Sequence, residues 1–154
     1  MALNGQSVTI LGAGVAGLAA ARALALRGAK VTVLEQADAI REVGAGLQIS
    51  PNGAVVLKAL GLEEALEAAS TRAEAVELRD GRDGAVVTRL EVAKLRPGQD
   101  YHFLHRADLI QLLLDGARAA GGELRLLRKG GRVGLSGPPP KLAMSTRAAV
   151  ETGP

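Results

Sequence analysis

Three glycines and one acid carry the chemistry that can be read first. Gly12, Gly14 and Gly17 form G-x-G-x-x-G, and Glu35 follows 23 residues after Gly12. Glycine at the first position permits a tight strand-to-helix turn. At the second it lets a pyrophosphate approach the backbone, and at the third it lets helix pack closely on sheet. A helix that opens at such a turn offers unpaired N–H groups and the positive end of its dipole to phosphate. An acid roughly 20 residues beyond the first glycine is placed to hold ribose hydroxyls. Glu35 would repel a 2′-phosphate, so the expected ribose is unphosphorylated. Ala16 and Gln36 adjoin these positions and join the candidate set. The chemistry implied is dinucleotide binding.

The elements needed to position these residues occur in order. Val8 to Leu11 is an apolar run of the kind that forms a fully buried parallel strand. A helix from Val15 to about Leu26 follows, with Gly28 where a helix stop is expected. Lys30 to Leu34 reads as a second strand, ending in Glu35. A lone glycine fingerprint is weak evidence, and a glycine-rich turn in some other α/β unit is the plainer alternative. Strand, glycines, helix, strand and acid within about 30 residues make a much sharper signal. The helix carries Arg22 as its only charge, so burial on more than one face is expected.

Composition narrows the function classes. With 154 residues, 47% of them hydrophobic, the chain can bury one core and is most simply one domain. A formal charge of +3, scattered basic residues and 1% aromatics argue against nucleic acid as a partner. The absence of cysteine excludes disulfides, thiolate metal sites and a cysteine nucleophile, and fits a cytoplasmic setting. His102 and His105 are the only histidines, so no multi-histidine metal site is expected. Ala2 to Ala21 carries no charged side chain, but it lacks a basic leader and Asn4 to Ser7 interrupts its apolar run. A soluble chain with no membrane partner is the expectation.

Further along, Gly44-Ala45-Gly46 is backbone almost without side chains. Ser50 reads as an N-cap with Pro51 at the first helical position, and Gly61 closes that helix. Leu62 to Ala69 reads as a short helix, and residues 75–92 as two antiparallel strands around a turn at Asp80 to Gly84. A helix from about Ala107 to Ala120 starts beside Arg106, a cation at the end of the helix that disfavours it. Asp108 or a bound phosphate would relieve that conflict. Glu123 to Leu127 reads as a third strand of the main sheet, and residues 128–154 as a β-hairpin with an incomplete tail. The fold class expected is α/β, a Rossmann-like FAD/NAD(P)-binding fold with a parallel sheet, crossover helices and an antiparallel hairpin.

With these landmarks in place, the sequence resembles the N-terminal part of the FAD-dependent aromatic-ring monooxygenases, the salicylate and 4-hydroxybenzoate hydroxylases among them. Three segments carry the resemblance: the glycine fingerprint, Arg41 to Asn52 with its sequel Leu60-Gly61-Leu62, and His105-Arg106-Ala107-Asp108-Leu109. It covers about residues 6 to 127 well and the hairpin loosely. The resemblance implies that Gly12, Gly14 and Gly17 hold the FAD pyrophosphate and Glu35 the adenosine ribose. It implies that Arg41 lies near the flavin and its phosphates, that Gly46 and Leu47 pass close to the ring, that Arg106 reaches the phosphate and ribose region, and that Leu126 lies near adenine. It further implies NADH or NADPH as co-substrate, O₂, and hydroxylation of a small aromatic substrate.

The family continues from this hairpin into a strand with an Asp-Gly motif and later a Gly-Asp motif at the flavin ribitol, and neither follows the hairpin here. A truncated domain, 1–154, inactive alone and with a separate C-terminal half as its candidate partner, is therefore expected. Tyr101, His102 and His105 are polar candidates, yet no catalytic acid, base or nucleophile emerges. Another FAD oxidoreductase of the same fold, or a nucleotide-binding module without turnover, are the alternatives.

Overall fold

A computed structural model of the chain describes residues 2–40, 45–95, 98, 100–134 and 141–145. Arg41, Gly44 and the Ser136 to Pro140 turn lie outside the described residues. The elements run β1 (Ser7–Leu11), α1 (Val15–Ala25), β2 (Lys30–Leu34), β3 (Gly46–Ile49), α2 (Pro51–Ala59), α3 (Glu63–Ala69), β4 (Thr71–Arg72) and β5 (Val76–Arg79). They continue with β6 (Val86–Leu90), α4 (Val92–Leu95), β7 (His102–His105), α5 (Arg106–Ala119), β8 (Glu123–Arg125), β9 (Lys129–Gly134) and β10 (Lys141–Ser145). The chain divides into two compact units, Met1–Arg41 with Leu113–Pro154, and Glu42–Leu112.

The first unit is built on a parallel sheet in the order β1-β2-β8. Ser7 faces Lys30 and Leu11 faces Leu34, while Thr32 to Leu34 face Glu123 to Arg125. This is the parallel β1–α1–β2 arrangement the glycine fingerprint implies, with β2 as the central strand. Val31 and Val33, from its alternating positions, are 3% and 2% exposed. Burial of β1 is less than its apolar run suggests. It forms an edge of this sheet among the described residues, and Leu11 is 49% exposed. The helix departs from expectation in the same direction. Leu18 and Ala21 of α1 are fully buried, but Ala16 and Ala20 are exposed, so one face packs and the other does not. Helix α1 stops where expected, because Gly28 takes φ +90°, a conformation costly to residues with a Cβ. An antiparallel β9–β10 hairpin with a bulge at Ala143/Met144 completes the unit.

The second unit contains an antiparallel sheet in the order β3-β7-β4. Strand β7 is its centre, and its burial alternates with His102 and Leu104 inward and Phe103 and His105 outward. The predicted Ser50 and Pro51 helix start is present in α2, although the Ser50 hydroxyl bonds the Asn52 side chain and caps no backbone N–H. Leu57, Leu60, Leu62, Leu66, Leu104, Leu109 and Ile110 form the unit's core. The β5–β6 hairpin is antiparallel as expected. One of its faces exposes Val76, Leu78 and Leu90, while Glu77, Arg79 and Arg89 pair across the other. Among the described residues, no helix is long and apolar enough to cross a membrane.

Candidate functional site

The first unit brings Gly12, Gly14, Ala16, Gly17, Glu35 and Gln36 to the carboxyl ends of β1 and β2. Gly12 leaves the sheet at φ +94°, with its N–H donating to the Leu34 carbonyl at 2.8 Å. Such a turn is open to glycine and strained for other residues. Gly14 is the N-cap of α1 and has ordinary extended torsions, φ −79° and ψ −176°. A Cβ added at Gly14 would meet nothing within 4 Å. No side chain caps α1, and its first turn holds no acid. Among the described residues, the first N–H groups of α1 thus lack an intrahelical or side-chain partner, which is the requirement for an anion site. Gly17 differs from Gly14. Its Cβ would lie 2.0 Å from the Gly12 carbonyl oxygen, so that glycine serves helix–loop packing.

Glu35 is fastened to this loop. Its carboxylate accepts from Ala13 N–H at 2.8 Å and from Ala37 N–H at 2.9 Å. The Ala13 bond, reinforced by that from Ala37, holds the carboxyl below its ordinary value of 4.5 against the opposing effect of burial. A group whose folded pKa is lowered contributes stability above its unfolded pKa and loses it as pH falls through the folded value. Glu35→Gln should therefore be less stable than the wild type near neutrality, and the gap should close on acidification below the ordinary carboxylate value. Urea midpoints from about pH 7 to about pH 3 measure this. A gap that stays constant across that range would show that the charge on Glu35 contributes nothing to the loop.

A cleft of about 190 Å³ opens over this end of the sheet, lined by Leu11, Gly12, Leu34, Glu35, Gln36, Arg128, Lys129 and Gly130. The segment after β8 is tied to it by two backbone bonds, Leu127 N–H to the Ala37 carbonyl at 3.0 Å and Arg128 N–H to the Glu35 carbonyl at 2.8 Å. Leu126 is half-buried and does not line the cleft. Arg128 and Lys129 escaped the sequence reading, because nothing local marks their return to Glu35.

The second unit gathers Gly46, Leu47 and Arg106. Antiparallel pairing sets Gly46 against His105 and Leu47 against Leu104. The Arg106 N–H donates to the Ala45 carbonyl at 3.2 Å, which fixes the start of α5 beside β3. Asp108 stands in the first turn of α5, offsetting Arg106 at that helix end. Gly46, Leu47, Gln48, Thr71, Phe103 and His105 line a cleft of about 400 Å³. Of the polar candidates, His105 is exposed on its rim, Tyr101 is half-buried, and His102 is 2% exposed. The Ser70 hydroxyl donates to the Leu66 carbonyl at 2.6 Å and meets His102 Nδ1 at 2.9 Å, so that ring nitrogen is held within the core. Glu67, Asp100 and His102 bring ligand-type atoms within 4.8 Å of one another, but Arg72 ion-pairs with both carboxylates. That cluster reads as an ion-pair network.

The family model described as FAD binding domain matches residues 6–130. The 3-amino-4-hydroxybenzoate 2-monooxygenase of Streptomyces cremeus is 42% identical over 120 residues, which is 76% of this chain and 30% of that protein. The 3-hydroxybenzoate 6-hydroxylase of Polaromonas naphthalenivorans (strain CJ2) is 40% identical over 117 residues, 74% of this chain and 29% of that one. Among solved structures, FqzB superposes with a TM-score of 0.79 at 28% identity, covering 96% of this chain and 34% of its own. The chain spans about 30% of the length of the curated relatives it matches.

Proposed function

The chain belongs to the FAD binding domain family, and from that premise we propose that it grips the adenylate and pyrophosphate half of FAD on the Gly12 to Gly17 loop and Glu35. Gly14 carries this reading. Neither its torsions nor any neighbour demands glycine, so the missing side chain serves something other than protein. Gly12 turns the chain, Ala16 lies in the first turn of the uncapped α1, and Gln36 lines the cleft beside Glu35. Gly46 and Leu47 are assigned to the flavin ring, Arg41 to the flavin and its phosphates, and Arg106 to the phosphate and ribose region. Leu126 is assigned to the adenine side.

When bound, FAD supplies the redox chemistry, with NADH or NADPH as reductant and O₂ as oxidant. This chain's own residues orient the dinucleotide and neutralise its charge. The α1 N-terminus would face the phosphates, and the Glu35 carboxylate, held by Ala13 and Ala37, would accept from the ribose hydroxyls. Hydroxylation of a small aromatic acid is proposed for the protein in which this domain works, since relatives that share the domain are named for hydroxybenzoate and aminohydroxybenzoate chemistry. A separate C-terminal half is the proposed partner, and the cytoplasm the proposed compartment.

Gel filtration after incubation with FAD tests the binding step. Flavin absorbance should co-elute with the protein at about one equivalent. Folded, colourless protein would refute it.

A further inference from the structure

Two cations at the first unit's cleft have no structural task. Arg128 and Lys129 line it together with Gly12, Glu35 and Gln36, and both are exposed. Neither side chain bonds another described residue. Among the described residues Glu35 is the only acid lining the cleft, and its carboxylate is already engaged by two backbone N–H groups. Among the described residues the cleft therefore carries two unpaired positive charges against one committed negative charge. Their placement is built into the backbone. Arg128 and Leu127 donate to the Glu35 and Ala37 carbonyls, and Leu127 adopts φ +54°, a left-handed conformation costly to a non-glycine residue. Gly130 lies close to the Leu11 side chain, where an added Cβ would sit 3.1 and 3.2 Å from its two methyl carbons. The strained turn thus brings the two cations to the end of β2.

Glu35 creates the need for them. A carboxylate in the cleft that receives the ribose repels the neighbouring phosphate, and the dipole of α1 acts only at its own first turn. Resting on the FAD reading above, we propose that Arg128 and Lys129 bind the phosphate of the dinucleotide's adenylate half, a side-chain clamp that complements the helix N-terminus. Charge-assisted bonds to phosphate are the strong class of such contacts, and exposed ones weaken as salt screens them.

The test titrates the full chain with FAD by flavin fluorescence at low and high salt, and measures displacement by adenosine, 5′-AMP and 2′,5′-ADP. The Arg128→Gln/Lys129→Gln variant should bind FAD about 10- to 30-fold more weakly at low salt, with the gap closing at high salt. Wild type should prefer 5′-AMP to adenosine by about tenfold, and the variant should lose that preference. Wild type that binds FAD while the variant matches it at every salt concentration overturns the clamp and leaves the FAD reading standing. A variant that keeps its 5′-AMP preference, but alone loses a preference for 2′,5′-ADP, also overturns it. Wild type that binds no FAD refutes the parent reading and the clamp with it.

Discussion

Gly14→Ser should leave the chain at least as stable as the wild type while weakening its affinity for FAD by about 100-fold or more, or roughly 2.7 kcal/mol. Most substitutions in a ligand loop lower stability and affinity together, so the opposite signs make this result diagnostic. Gly14 is the N-cap of α1, its torsions are those of an ordinary N-cap, and α1 has no side-chain cap. Serine is among the preferred N-cap residues, and its hydroxyl accepts from an N–H of the first turn. No protein atom within 4 Å opposes the new Cβ. On protein grounds alone, serine is an improvement. For a bound pyrophosphate it is doubly adverse, because its side chain enters the phosphate space and its oxygen occupies an N–H the phosphate needs. The melting temperature without FAD and the FAD dissociation constant measure the two effects. Unchanged affinity would remove Gly14, and the observation that carries the functional reading, from the site.

How much of this was legible in the sequence follows from how local each signal is. The β1–α1–β2 run, the Gly28 stop and the Ser50-Pro51 helix start each lie within a few residues of their cause, and each appears where expected. The β5–β6 hairpin was equally plain, since alternating apolar residues flank a glycine-containing turn. Strand β7 was harder. His102 occupies an inward position, so the alternation of His102-Phe103-Leu104-His105 does not read as apolar against polar. Strand β4 is two residues long and exists because β7 is there to pair with it. The partial exposure of β1 was also hidden, because an apolar run reports what could be buried and not how many neighbours the strand has. The cations at Arg128 and Lys129 belong to the same class. Their proximity to Glu35 depends on hydrogen bonds between segments more than 80 residues apart in sequence, Arg128 to Glu35 among them. Local periodicity carries no trace of such a contact.

Gly17→Ala should lower stability by about 3 kcal/mol or more, with a fall in melting temperature of about 10 °C. In an unconstrained helix interior the same change gains up to about 1 kcal/mol, so a loss isolates the packing role of this position. The new Cβ would sit 2.0 Å from the Gly12 carbonyl oxygen and 3.2 Å from its carbon. That carbonyl has little room to retreat. The Gly12 N–H is bonded to Leu34, and the Ala13 N–H to the Glu35 carboxylate, so β2 pins the loop on both sides of the peptide. Relief must come from moving α1. Leu18 and Ala21, 1% and 0% exposed, then lose contacts they make only at the present spacing. A variant that melts within a degree of the wild type would show that helix and loop separate freely. Set beside Gly14→Ser, the experiment divides one motif into two kinds of glycine. The second keeps its place for a ligand, and the third keeps its place for the fold whether or not a ligand is bound. Position in the motif predicts this division, and the distance from each added Cβ to the nearest backbone atom gives it a physical cause.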